Sequence, residues 1–334
     1  MTRRLQRFVW GLCFSLLMTG VQAMERISVA YPGPFNLSYL PLDLAPRIGA
    51  DRAEGIELVV RHTAGGGLAL QHLQRRNVDF AVAGVPAAMS ARANGNDVVV
   101  IAAVNDLPLF MLMVRADLKG VVQRPRDLAG RVVGVNASAL SAKTTSQQLA
   151  ELLVQNDGLS PHRIRIVAAG QSWEEQSALI RSRYADAIVG DEPFVTRLVN
   201  RGEVFVLTSL ANPADIARIP GAGFLHAALE TRSDVLRNSP RRAEKMVAVL
   251  RRTLQWMARH SPEETVTALG IDDAEARAAL IDALRRYPRA FSPDGAFSAR
   301  QITETDRFYA VTEGRTRPLK LETMLDDRFV TRRP

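Results

Sequence analysis

Residues 77–104, NVDFAVAGVPAAMSARANGNDVVVIAAV, set a pattern that the rest of the chain repeats. Residues 78–82 are apolar around one aspartate and read as a strand. Residues 86–94 read as a helix that opens near Pro86 and stops at Gly95, since proline suits a first helical turn and glycine a helix end. Residues 98–104 are continuously apolar, as expected of a strand buried on both faces. Strand, helix and strand in this order point to a sheet with parallel strands and helices on its faces.

The same alternation extends in both directions. Upstream, 27–31 and 56–60 read as strands and 68–76 as a short helix with Leu68, Leu70 and Leu73 apolar. Downstream, 110–114 is a strand. A second series follows, with strands at 131–135, 164–168, 185–189 and 204–207 and helices at 144–155, 173–182 and 192–200. From Ser239 the chain turns helical. Ser239-Pro240 is expected to cap a helix whose Met246, Val249, Leu250, Leu254 and Met257 share one face. Ser261 to Glu264 and Asp272 to Glu275 both have capping-box spacing. A last helix is expected from 298 to 313, ended by Gly314.

The first 23 residues read as a cleaved secretion signal. Arg3, Arg4 and Arg7 precede an apolar run over 8–19, and Val21-Gln22-Ala23 supplies a cleavage position. The run is too short to span a bilayer. Trp10-Gly11-Leu12 before Cys13 does not suit a lipoprotein signal. Of 334 residues, 334 − 23 = 311 then remain, enough for two domains. Cys13 is the only cysteine, which excludes a disulfide scaffold, a thiolate metal site and a cysteine nucleophile in the mature chain. The net charge of +8 falls to 8 − 3 = +5. The arginines are scattered among acids and aromatics make up only 6%, so the charge does not describe a nucleic-acid groove.

One internal echo stands out. Asn77-Val78-Asp79-Phe80-Ala81 and Tyr184-Ala185-Asp186-Ala187-Ile188 each follow a helix and open a strand with aspartate third. Two similar αβ lobes would produce it. Further pieces lie in order along the chain: Pro41-Leu42-Asp43-Leu44-Ala45, Gly49, Glu54-Gly55-Ile56-Glu57-Leu58, Ala69-Leu70, Gly84, Pro86, Ala91, Gly95, the segment 127–135 (DLAGRVVGV), Asp191-Glu192-Pro193 and the tail 319–327. Together they resemble the periplasmic binding proteins for nitrate, sulfonates, taurine and thiamine-pyrimidine precursors, a family that is hydroxymethylpyrimidine synthase-like. The sequence departs from the family pattern at Arg76 and Arg183, where glycine is usual, and at Asp191, where an aromatic often stands.

That resemblance implies an α/β, two-lobed type II periplasmic binding protein. Each lobe is a mixed sheet flanked by helices, with the ligand cleft between lobes. Lobe one is expected over 24–112 plus 226–334 and lobe two over 113–225, joined by crossing strands near 112–115 and 224–229. The implied role is the periplasmic substrate-binding component of an ABC importer, taking a sulfonate, a taurine-like compound or another small anionic or zwitterionic solute. Its partner would be a membrane permease, and it would act as a monomer without a cofactor. Alternatives are a binding protein for a pyrimidine or thiamine precursor or an aromatic acid, and a sensory module coupled to a signalling protein.

Ligand contacts are expected at strand ends and helix starts. Phe35, Asn36 and Tyr39 follow the first strand and offer rings and polar tips. Gly65 and Gly66 permit close backbone approach. Val85 and Pro86 occupy the matching place after the next strand, where small residues leave room. Asn136, Ser138, Ser141, Lys143 and Thr144 gather hydroxyls and a charge before a helix, a setting that suits an anion, although ordinary capping uses the same residues. Asp191 and Glu192 could accept from an ammonium or a ring N–H, or simply stabilise a helix start. If both face the cleft, a zwitterion or heterocycle becomes a better ligand than a bare anion. Asn105, Gln171 and His226 are further cleft positions, whereas Trp173 and Trp256 are expected in the core.

No catalytic motif appears. G-x-S-x-G, H-E-x-x-H and a P-loop are absent, and His62, His72, His162, His226 and His260 lack metal spacing. The cysteine-rich segment of the yeast hydroxymethylpyrimidine synthase has no counterpart. The chain is therefore expected to bind and not to catalyse.

Overall fold

The computed structural model describes residues 24–137, 143–313 and 319–333. The expected signal, Ser138, Ser141 and Gly314 lie outside the described residues. The strands are β1 (Glu25–Pro32), β2 (Ile56–Thr63), β3 (Phe80–Gly84), β4 (Val99–Ala103), β5 (Phe110–Arg115), β6 (Val132–Val135), β7 (Arg165–Ala168), β8 (Ala187–Asp191), β9 (Val204–Ser209) and β10 (Ala227–Thr231). The helices are α1 (Leu40–Arg47), α2 (Ala50–Ala53), α3 (Gly66–Gln74), α4 (Val85–Ala93), α5 (Thr145–Asn156), α6 (Trp173–Arg181) and α7 (Phe194–Asn200). They continue with α8 (Pro213–Ile216), α9 (Ser233–Asn238), α10 (Pro240–Met257), α11 (Pro262–Leu269), α12 (Ala274–Arg286) and α13 (Ala299–Glu313).

Two five-stranded mixed sheets result, with orders β2-β1-β3-β10-β4 and β7-β6-β8-β5-β9. The orders correspond strand for strand. In each sheet four strands point the same way and one inserted strand, β10 or β5, runs antiparallel between its neighbours. These two strands are where the chain changes sheets, so each lobe holds a strand delivered from the other. Strands β3, β8 and β10 are buried along their whole length, which explains the unbroken apolar run of β3.

The aspartate echo is structural. Asp79 N–H donates to Ser28 O and its carboxylate accepts from Ser28 N at 2.9 Å. Asp186 N–H donates to Val132 O and its carboxylate accepts from Val132 N at 3.0 Å. Each aspartate thus closes a side-chain bridge to the neighbouring parallel strand. The preceding arginines, Arg76 and Arg183, have φ of 59° and 60°. Their N–H groups bond to Leu73 O and Ile180 O, while Asn77 and Tyr184 N–H bond to His72 O and Leu179 O. Both helices end in the same left-handed turn, which glycine serves best and arginine enters at a cost.

The lobe on the first sheet packs α10 against its core through Met246, Val249, Leu250 and Leu254, while Met257 is only half-buried. Ser239 makes no capping bond with its side chain. The cap of α12 is Asp273, whose carboxylate accepts from Ala276 N, and not Asp272; Glu275 is engaged by arginines instead. The helix expected from residue 192 starts at Phe194, because Asp191 completes β8. Helix α1 was not expected as a helix; Pro41 lies in its first turn, which proline suits, and Pro46 in its last. Among the described residues no helix is long and apolar enough to cross a membrane.

Candidate functional site

The two lobes meet along the ends of the strands, and their backbones touch. Leu37 N–H donates to Glu192 O at 2.8 Å, and Ala137 N–H to Ala64 O at 3.2 Å. Gly65 and Gly84 make this approach possible. A Cβ on Gly65 would lie 2.4 Å from Ala137 O, and one on Gly84 would lie 2.0 Å from Thr145 Oγ1. Both glycines therefore make room for the opposite lobe. Gly66 instead packs within its own lobe, against Ala83.

Asn36 is the central side chain. Its Nδ2 donates to Asp191 Oδ2 at 2.8 Å and to Gln171 Oε1 at 2.9 Å, so it joins the lobes through a buried polar bridge. Its Oδ1 accepts from Ser38 N, which fixes the amide's orientation. Around this bridge lie buried polar atoms without partners: Asn136 Oδ1, Thr145 Oγ1, Gln171 Nε2, Asp191 Oδ1 and both ring nitrogens of His226. Each such atom costs about 1–3 kcal/mol when it stays unpaired, and a polar solute between the lobes would satisfy them. His226 is walled by rings, with Phe110 at 4.5 Å, Tyr39 at 6.0 Å and Phe224 at 6.2 Å between centres. Glu230, four residues on in β10, is also fully buried with both carboxylate oxygens unpaired.

Burial dominates the electrostatics. It raises Asp191 to about 7, with Glu192 adding to the rise and Asn36 opposing it. It lowers His226 to about 3, so the imidazole is neutral. It also raises Glu192, Glu230 and the Tyr39 hydroxyl. No lysine or arginine stands among Asn36, Tyr39, Asn136, Thr145, Gln171, Asp191, His226 and Glu230. The cluster is therefore poor at holding a bare anion and well suited to an N–H donor facing Asp191. Among the described residues no group of acids and histidines could hold a metal ion.

The remaining expected residues divide. Tyr39 and Thr144 are buried here, Thr144 as the cap of α5. Val85 N–H donates to His226 O, and Pro86 O accepts from Gln148 across the junction. Phe35 is half-buried, with φ of 59° and its N–H bonded to Asp43. Three residues are engaged elsewhere. Lys143 pairs with Glu151 at 2.8 Å on the exposed side. Asn105 Oδ1 accepts from Ala227 N and holds β10. Glu192 spends its carboxylate on Thr196 N at 2.9 Å and Thr196 Oγ1 at 3.0 Å, so it fills the start of α7 where an anion would otherwise sit.

Three features escaped the sequence. Glu230 is an acid directly after the apolar stretch 227–229, a signal that was legible. Thr145 looked like one more helix-start hydroxyl. Trp173, expected in the core, instead lines a cavity of about 350 Å³ between α6, α7 and α12. Arg197 lies 4.0 Å from the centre of its ring and reaches Glu275 across the junction at 3.1 Å.

The family described as NMT1/THI5 like matches residues 52–265. No curated protein matches the sequence. Among solved structures, a protein from Bordetella bronchiseptica RB50 is 19% identical, with a TM-score of 0.80 over 91% of this chain and 95% of that one. The alkanesulfonate-binding protein SsuA from Xanthomonas axonopodis pv. citri, bound to MOPS, is 15% identical, with a TM-score of 0.71 over 90% and 98%. The desulfurization enzyme DszB is 17% identical, with a TM-score of 0.56 over 91% and 97%. At these identities the likeness is one of fold, and the fold carries binding proteins and an enzyme alike.

Proposed function

The chain belongs to the NMT1/THI5-like family, and from that premise we propose that it is the periplasmic solute-binding component of an ABC importer. It closes its two lobes, 24–112 plus 226–334 and 113–225, around one small solute and presents the closed form to a membrane permease. The observation that carries this reading is the buried Asn36 bridge to Asp191 and Gln171, surrounded by polar atoms without partners. A solute touching both lobes there favours closure by its differential affinity for the closed form.

Of the ligand classes left open by the sequence, a zwitterion or a nitrogen heterocycle fits better than a bare anion. Asp191 offers an acceptor, Glu192 already occupies the start of α7, and Lys143 is turned away. The same geometry favours binding over catalysis. Neither ring nitrogen of His226 has a partner, so no carboxylate orients it as a base, and the only cysteine is Cys13. A thermal-shift screen with taurine, other aminosulfonates, nitrate, aromatic acids and aminopyrimidines tests the reading. The expected result is a raised midpoint with a nitrogen-bearing solute, recovered unchanged afterwards. Silence across the whole screen, or turnover of the bound compound, would overturn it.

A further inference from the structure

The unpaired polar atoms at the junction stand close together. Asp191 closes β8, Asn136 follows its parallel neighbour β6, and Phe110 is paired with Asp191 in the register of β5 and β8. The His226 ring centre lies 4.5 Å from that of Phe110. A Cβ on Gly84 would be 2.0 Å from Thr145 Oγ1 and 3.3 Å from His226 Cε1, so hydroxyl and imidazole flank that glycine. Asp191 Oδ1 and Asn136 Oδ1 can only accept, while the Thr145 hydroxyl and neutral His226 can each accept as well as donate. Charge is more one-sided still. Asp191 and Glu230 are fully buried, and no lysine or arginine pairs with either. Both carboxyls act on the Tyr39 hydroxyl, so both lie within its electrostatic reach. The approach is acidic too. The cavity between α6, α7 and α12 adjoins the cluster at Gln171 and is lined by Glu174, Asp272 and Asp273, while the charge of its Arg197 is met by Asp273 and Glu275.

We infer that the solute is an organic cation, an amidinium or guanidinium, whose N–H groups face Asp191 Oδ1, Asn136 Oδ1 and Thr145 Oγ1 beside the rings of Tyr39, Phe110 and His226. Such a head group carries several N–H donors on one plane, and hydrogen bonds between charged partners are the stronger kind. The faces of Tyr39 and Phe110 attract a cation as well. Burying a carboxyl without a partner disfavours the folded state, and a bound cation offsets that cost. Burial raises Asp191 to about 7, with the adjacent Glu192 adding to the rise and the Asn36 amide opposing it. Below that pH a cation must therefore displace a proton from Asp191, because it favours the ionised form. The inference rests on the reading of the cleft as a solute site and adds the sign of the solute's charge and its head group.

The experiment titrates wild-type protein and D191N calorimetrically with two series of one shape and three charges: benzamidine, benzamide and benzoate, then acetamidine, acetamide and acetate. D191N keeps an acceptor for Asn36 and removes a buried acid, so it is expected to fold. The amidine of the series that fits should bind wild type roughly ten-fold or more tightly than its amide and its carboxylate. D191N should weaken the amidine about 10- to 100-fold, the scale of a hydrogen bond to a charged group. The amide should hold or gain affinity there, because the new side chain offers an N–H. At about pH 6 the amidine should release about one proton on binding, read from heats in buffers of different ionisation enthalpy, and D191N should release none. An amide or carboxylate that matches its amidine, an amidine affinity untouched in D191N, or binding without proton release overturns the inference. So does silence of both series when some other solute raises the midpoint, and that outcome leaves the solute-binding reading standing. Failure of every solute class overturns both.

Discussion

Replacing Gly65 by alanine should separate closure from folding. Gly65 has φ of 169°, extended backbone open to any residue, so alanine brings no strain of its own. Its Cβ would meet Ala137 O at 2.4 Å, Ala137 N at 3.0 Å and Ala137 C at 3.2 Å, all backbone of the opposite lobe. Ordinary contact begins near 3.4 Å, so the lobes must part by about 1 Å along that line. The Ala137 N–H bond to Ala64 O, now 3.2 Å, would then be lost. Overpacking costs about 1–3 kcal/mol and the hydrogen bond about 1 kcal/mol, so the closed form should lose roughly 2–4 kcal/mol. At about 1.4 kcal/mol per factor of ten, solute affinity should fall roughly 30- to 700-fold. The open form carries no such clash, and its thermal midpoint should stay or rise slightly as the unfolded chain stiffens. Calorimetric titration with a solute that shifts the midpoint, small-angle scattering and a thermal melt read the three quantities. Gly84→Ala is the companion: its Cβ would meet Thr145 Oγ1, a side-chain atom that can turn away, so its loss should be smaller. Wild-type affinity in G65A, or lost affinity with a lower midpoint in the free protein, would refute the reasoning.

Other outcomes follow from the same geometry. Asp191 is protonated in the folded protein up to about 7, so its contribution to stability is lost as pH rises from about 4 toward 7, whereas neutral His226 contributes in the opposite sense from about 3 to 6.5. D191N cancels only the first, so its stability should gain on wild type between about pH 4 and 7, by a few kcal/mol at most at about 1.4 kcal/mol per pH unit; parallel curves would count against a buried, raised Asp191. Glu275 holds Arg197 and Arg201 across the junction at 3.1 Å each, and E275Q should weaken solute binding a few-fold at low salt, since partly exposed pairs contribute about 0.2–1 kcal/mol. A loss in E275Q that persists in molar salt argues against such a latch. Arg183 sits in the left-handed region and its pair with Asp117 is exposed and 3.6 Å long, so R183G should stabilise the protein by roughly 1 kcal/mol in denaturant titration; destabilisation would show that the arginine does more than occupy the turn.

Much of the site was readable because strand ends and helix starts follow from local pattern. Asn36, Tyr39, Gln171 and Asp191 stand beside such ends, and all four are buried together at the junction. The purpose of the residues was less readable than their place. Gly65 was expected to permit close backbone approach, and the backbone packed against it is that of Ala137. Lys143 and Glu192 look alike as charged residues at helix starts, yet one pairs with Glu151 outside and the other closes on Thr196 within. Trp173 has the helical neighbours of a core residue, and only the packing of α12 against α7 turns its ring into a wall with Arg197 upon it.

Sequence alone determined the alternation of strands and helices, the pairing of the chain into two similar halves, and the two arginines in turns that ask for glycine. Those are properties of near neighbours, set by side-chain periodicity and backbone stereochemistry. Tertiary structure alone decided which carboxylate remains unpaired, which donors lack acceptors and where the halves touch. Asn36 and Asp191 lie 155 positions apart, and whether a buried group is satisfied depends on every element packed around it, which no local pattern records.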